Sequence, residues 1–152
     1  MSDLLGISNL YIHDILKRDC ENYLGIFSCD NIPSSLTTVC GSLVVNLSPA
    51  GSLGTHFITI LLLKDHVLYV DSLGKKCENV HINQFLFSTQ KLLFYQSIPM
   101  QQPNSPLCGF YCMLVVTEFE LSKHWSNPFE KNNDNDVLCI FLLCHNLQKL
   151  RK

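Results

Sequence analysis

The 152-residue sequence predicts a single α+β domain spanning residues 1–152. Three observations carry that expectation. The length is that of one domain, and a chain of this size buries roughly 68–70% of its unfolded surface without staples. Helix-like stretches and apolar, β-branched strand-like runs share the chain, and two of the runs are spaced as a β-hairpin. A long apolar helix then opens on a turn-rich segment that places a cysteine in its first turn.

Ser8 is suited to cap a first helix, with Leu10, Tyr11, Ile15 and Leu16 on one face and Lys17-Arg18 near its C-terminal end. Tyr23 to Phe27 reads as a short strand. Cys29 to Ser35, with Asp30, Asn31 and Pro33, reads as a loop. Thr37 to Leu47 is expected to be a strand, and Ser48 to Gly54, with Pro49, Gly51 and Gly54, a loop. Thr55 to Leu63 and His66 to Asp71 are strand-like and flank the polar Lys64-Asp65, which makes them the hairpin. Asn79 to Ser88 is expected to be a helix with Val80, Phe85 and Leu86 inward, and Lys91 to Tyr95 a further strand. Gln96 to Pro106 is a loop leading into the apolar run Leu107 to Phe119, in which Leu107, Phe110, Tyr111, Leu114 and Val115 recur at helical spacing. Trp125 to Asn135 is turn-rich. Asp136 to Leu150 closes the chain as a helix, with Leu138, Leu142, Leu143 and Leu147 as its apolar stripe.

Composition narrows the function. Hydrophobic residues make up 47% and charged residues 16%, which excludes a disordered chain. A net charge of −2 speaks against a dedicated nucleic-acid binder, so the basic clusters Lys17-Arg18, Lys75-Lys76 and Lys149, Arg151, Lys152 read as solvated surface. No signal-peptide pattern opens the chain, and the apolar run Phe57 to Leu63 is too short to span a bilayer. An intracellular protein with reduced thiols is expected, without membrane contact. Cys77 with His81, and Cys108 with Cys112, could each share a helix face, but there is no C-x-x-C pair. Two isolated pairs do not make a structural zinc site. Neither a metal nor a cofactor is expected.

Of the eight cysteines, Cys108 stands apart. Ser105 is a favoured N-cap residue, Pro106 suits the first helical position, and Cys108 falls in the first turn. There the helix dipole favours thiolate, the nucleophilic form. Pairing across a turn near Lys64 brings His56 opposite Asp71 or its immediate neighbour, and the sequence leaves the register open. A facing aspartate can orient an imidazole and stabilise its charged form. A histidine, an aspartate and a helix-borne cysteine together point to nucleophilic catalysis by a thiol. His13, His66, His81, His124 and His145 have no such company and read as structural or surface residues.

These same residues carry a family resemblance. Gln101-Gln102-Pro103-Asn104-Ser105-Pro106-Leu107-Cys108-Gly109-Phe110-Tyr111-Cys112 resembles the nucleophile segment of the adenovirus maturation proteases, the adenains. Gly54-Thr55-His56-Phe57 resembles their histidine segment, and Tyr69-Val70-Asp71-Ser72-Leu73-Gly74 their acid segment. Tyr23 to Phe27, followed by Asp30 and Pro33, resembles a stretch near their N-terminus. The likeness covers residues from about Ser8 to Phe119 and extends to the proteases that process SUMO and related modifiers. Three features depart from the adenain pattern. Phe57 stands where tryptophan is usual, Asp71 where adenain has glutamate, and the C-terminal third does not match.

The resemblance implies an α+β cysteine protease fold in which a central mixed β-sheet packs against a central helix with the nucleophile at its N-terminus. It implies a catalytic set of His56, Asp71 and Cys108, with a glutamine in the oxyanion hole. Gln101 matches that glutamine by adenain spacing and Gln102 by SUMO-protease spacing. It further implies an endopeptidase of a virus, virophage or Polinton-type element, cleaving capsid or core precursors at Gly-rich sites during virion maturation. Such a protein would act inside the host cell, in a virus factory, cytoplasm or nucleus, and in the virion. An activating peptide is a possible partner, while the low net charge speaks against DNA activation. The alternatives are a protease that removes ubiquitin-like modifiers and a catalytically silent virion interaction module.

Overall fold

The computed structural model describes residues 8–51 and 56–152. Residues 52–55, which include part of the expected 48–54 loop and the Gly54-Thr55 half of the histidine segment, lie outside the described residues.

Five strands form one mixed sheet in chain order. β1 (Tyr23–Ser28) runs parallel to β2 (Gly41–Asn46), β2 antiparallel to β3 (Phe57–Leu62), β3 antiparallel to β4 (His66–Val70), and β4 parallel to β5 (Leu92–Tyr95). Every residue of β2 and β3 is buried, including the polar Ser42, Asn46 and Thr59, so both faces of these strands are covered and no solvent-facing alternation shows in them.

The pleat divides their side chains between two layers. Leu43, Val45, Ile58, Ile60 and Leu62 face α2 (Val80–Ser88), where Ile82, Phe85 and Leu86 complete the packing. Asn79 starts α2 by accepting from the amides of His81 (3.0 Å) and Ile82 (3.1 Å). The opposite face carries α3 (Cys108–Ser122), with α1 (Asn9–Asp19) and α4 (Asp136–Leu150) packed beside it. Val44 and Phe57 meet Ile12, Leu16, Met113, Val116 and Leu143. Leu61 and Val70 meet Tyr111, Leu114, Val115 and Phe119. α3 is thus enclosed on all sides, and its buried run Tyr111, Cys112, Met113, Leu114, Val115, Val116 has no polar face.

Several expectations are corrected. Thr37 and its neighbours form a 3-10 turn (Ser34–Thr38), and the strand begins only at Gly41. The Thr37 hydroxyl donates to the Ser34 carbonyl (2.8 Å), the local bond that competes with a strand. Ser8 does cap α1, accepting from the Tyr11 amide (3.3 Å). The buried seam of that helix is Ile12 with Leu16, while Leu10 and Tyr11 are exposed. Val80 is exposed at the start of α2. In α4 the buried residues are Cys139, Leu143 and Asn146, and Leu138 is exposed. No helix among the described residues is long and apolar enough to cross a membrane.

Candidate active site

The hairpin sets the imidazole and its carboxylate. Thr59 pairs with Val70, and continuing that register puts Ile58 opposite Asp71. His56 and Asp71 each lie one residue beyond a strand end, at the same end of the hairpin, where the alternation of the sheet no longer fixes their direction. His56 Nε2 donates to Asp71 Oδ1 at 2.7 Å. A carboxylate oxygen can only accept, so this contact fixes the proton on Nε2 and leaves Nδ1 as the second ring nitrogen. The His56 carbonyl accepts from the Leu47 amide (3.0 Å), which ties the residue to the end of β2. Asp71 is held in turn: its Oδ1 also accepts from the Leu73 amide (2.8 Å), and its carbonyl from the Gly74 amide (2.8 Å). Its side chain is 3% exposed, so its charge is directed at the ring and not at water.

Cys108 is the first residue of α3, where backbone N–H groups lack intrahelical partners and the dipole is positive. The residue is half-buried, and its side chain interacts with the His56 ring. Burial of the ring works against its charged form, but the bonds with Asp71 and Cys108 outweigh that, and the pKa is pushed up to about 9. Other thiols are held protonated by burial. It pushes Cys20 up to about 12, raises Cys139, and raises Cys112, one turn further along α3, well above the ordinary value. Those sulfurs are packing groups, not nucleophiles.

The start of α3 is not built as its sequence suggests. Leu107, not Ser105, occupies the cap position, without a side-chain bond, and Pro106 lies before the helix. Ser105 is drawn elsewhere. Its hydroxyl donates to the Asp136 carboxylate at the start of α4 (2.9 Å) and accepts from the Leu107 amide (3.3 Å). A charged acceptor makes the stronger bond and takes the hydroxyl proton. Tyr111 donates to the same carboxylate (2.9 Å). The helix that opens on Cys108 is thereby locked to α4.

The two glutamines part company. Gln101 is 4% exposed. Its Oε1 accepts from the Ser72 hydroxyl, and its Nε2 donates to the Ser105 carbonyl (3.0 Å). Gln102 Nε2 donates outward to the Asn133 carbonyl (2.9 Å). Both line a cavity of about 290 Å³ with Leu73, Lys75, Pro99 and Asn133. The 96–107 loop is pinned from several sides. The Ser72 carbonyl accepts from the amides of Met100 (2.7 Å) and Gln101 (3.1 Å), Asn135 Nδ2 donates to the Met100 carbonyl (2.8 Å), and Trp125 Nε1 to Gln96 Oε1 (3.2 Å).

His56, Asp71 and Cys108 are thus brought together, and Gln101 and Gln102 lie on the loop that leads to Cys108. Sequence reasoning missed Ser72, Asn135 and Asp136 as supports of that loop. Ser72 is part of the acid-segment motif and could have been found there. The other two support the loop through Ser105 and Met100, 31 and 35 residues away in the chain, contacts that no local pattern marks.

A five-stranded mixed sheet, with a helix on one face and an enclosed helix opening on a cysteine on the other, makes up an α+β fold that recurs among solved protease structures. Among solved structures, the chain is similar to the ASFV pS273R protease, with a TM-score of 0.64 and 12% identity over 94% of this chain and 67% of that one. It is also similar to the C-terminal Ulp1 protease domain in complex with Smt3, the yeast ortholog of SUMO, with a TM-score of 0.44 and 16% identity over 93% of this chain and 73% of that one. No family model matches the sequence, and no curated protein matches it.

Proposed function

We propose that this protein is a thiol endopeptidase with Cys108 as nucleophile, His56 as acid–base and Asp71 as the residue that orients His56. The supporting observation is the 2.7 Å His56–Asp71 bond on a ring that also meets the Cys108 side chain at the opening of α3. The Cys108 proton passes to His56, leaving a thiolate beside an imidazolium. The thiolate attacks the scissile carbonyl and the C=O pair moves onto oxygen. The Cys108 backbone N–H and the Gln101 side-chain amide donate to that oxyanion, a donor of this kind being worth ~3 kcal/mol. His56 returns the proton to the leaving amine, and a thioester forms. Water, deprotonated by His56, then releases the acid and restores the thiol. Gln101 is chosen over Gln102 because its amide is buried and fixed at both ends, while that of Gln102 is turned toward Asn133.

The substrates are viral capsid or core precursors cut beside extended, Gly-rich segments, in the host cell and the assembling virion. The likeness of residues 101–112 to the adenain nucleophile segment and the fold shared with a viral protease support this reading. An activating peptide is a further partner to test. Co-expression with a candidate capsid precursor, followed by mass spectrometry of the products, is the test. Discrete products next to glycine that vanish with Cys108→Ala are expected. Precursor cleaved equally by the variant would end the assignment. Cleavage confined to SUMO- or ubiquitin-derived fluorogenic substrates would transfer the protein to the deconjugating proteases.

A further inference from the structure

We infer that Ser72 is a positioning residue for the reaction, setting the Gln101 amide so that one N–H is free for the oxyanion. The inference rests on the protease reading above and deepens it. Ser72 is 3% exposed and follows Asp71 directly. Its hydroxyl donates to Gln101 Oε1, and its carbonyl holds the Gln101 amide (3.1 Å). One residue therefore grips both the backbone and the side chain of Gln101.

Hydrogen-bond inventory decides what that grip does. A primary amide can sit in either of two orientations, related by exchange of O and N. The Ser105 carbonyl can only accept, so it demands Nε2 on its side at 3.0 Å. The Ser72 hydroxyl could donate or accept; with the orientation set by Ser105 it donates, supplying the proton that Oε1 requires and holding the amide at its other end. Nε2 then has one proton committed to Ser105 and one left over. Without the Ser72 hydroxyl, Oε1 is a buried acceptor with no donor, and the amide has a reason to turn. The acid segment thereby serves two groups through adjacent residues: Asp71 fixes the imidazole and Ser72 fixes the amide.

The test uses the full chain, a fluorogenic Gly-Gly-aminomethylcoumarin peptide, and iodoacetamide. Coumarin release passes through an oxyanion, whereas alkylation by iodoacetamide displaces iodide and forms none. Ser72→Ala is expected to lower kcat about 10-fold or more while KM and the Cys108 alkylation rate stay within about twofold. Ser72→Thr, which keeps the hydroxyl, is expected to recover most of the loss. In a Gln101→Ala background, Ser72→Ala is expected to cost nothing further, because Ser72 acts through Gln101 alone. The inference is overturned by an unchanged kcat in Ser72→Ala, by alkylation falling in parallel with kcat, or by additive losses in the double variant. These failures differ from that of the protease reading, in which the wild-type chain releases no coumarin or Cys108→Ala releases as much.

Discussion

Replacing Asp71 by asparagine keeps the shape of the side chain and removes its charge from a ring 2.7 Å away. His56 is held at a pKa of about 9 against an ordinary value of 6.5, a difference worth roughly 3 kcal/mol in favour of imidazolium. Burial opposes the charged form, so loss of the carboxylate leaves only Cys108 to offset it. The variant's His56 is expected to titrate well below the wild-type value. At pH 7.5 the imidazolium fraction then falls, and Cys108 loses the charged partner of its proposed thiolate form. Alkylation of Cys108 by iodoacetamide at that pH should slow about tenfold. The assay pairs an NMR titration of the His56 ring with the alkylation rate. A variant whose ring titrates within half a pH unit of wild type, and whose thiol reacts as fast, would refute the coupling.

Further outcomes follow from the same contacts. Gln101→Ala should lower kcat by about 100-fold, and Gln102→Ala by no more than about threefold, in steady-state hydrolysis of the coumarin peptide. Gly74 has φ +73°, and a Cβ there would lie 2.8 Å from the Pro99 nitrogen. Gly74→Ala should therefore destabilise by about 1–3 kcal/mol, read from the urea midpoint, and loosen the turn that holds Asp71. His56 binds its proton more tightly folded than unfolded, so its contribution to stability is full below about pH 6.5 and is lost as pH rises through about 9. Urea unfolding should weaken across that window in the wild type, and by up to ~3 kcal/mol less in His56→Gln. That comparison also removes the contribution of Cys20 and Cys112, whose raised pKa values cost stability at still higher pH.

The periodic and short-range parts of the structure were legible in the sequence. The hairpin could be read because its turn and strands are contiguous, and that was enough to bring His56 near Asp71. The Thr59–Val70 register, which leaves both residues just past the paired strands, was not available from the pattern alone. α4 was legible from its period to its bounds, Asp136–Leu150, but not its buried side, which depends on where α3 and the sheet lie. The cap of α3 was misplaced for a related reason. Ser105 has the local chemistry of an N-cap, and a carboxylate 31 residues away takes its hydroxyl. Sequence spacing alone could not choose between Gln101 and Gln102. They differ in burial, which is a property of the packed loop.

The most direct measurement is covalent. The full chain is treated with a Gly-Gly vinyl sulfone peptide, and its thiols are mapped by tandem mass spectrometry. A single adduct on Cys108, lost in His56→Ala, is the expected result. Adducts spread over the exposed Cys40 and Cys144, with Cys108 unmodified or equally reactive without His56, would contradict the pairing of ring and sulfur.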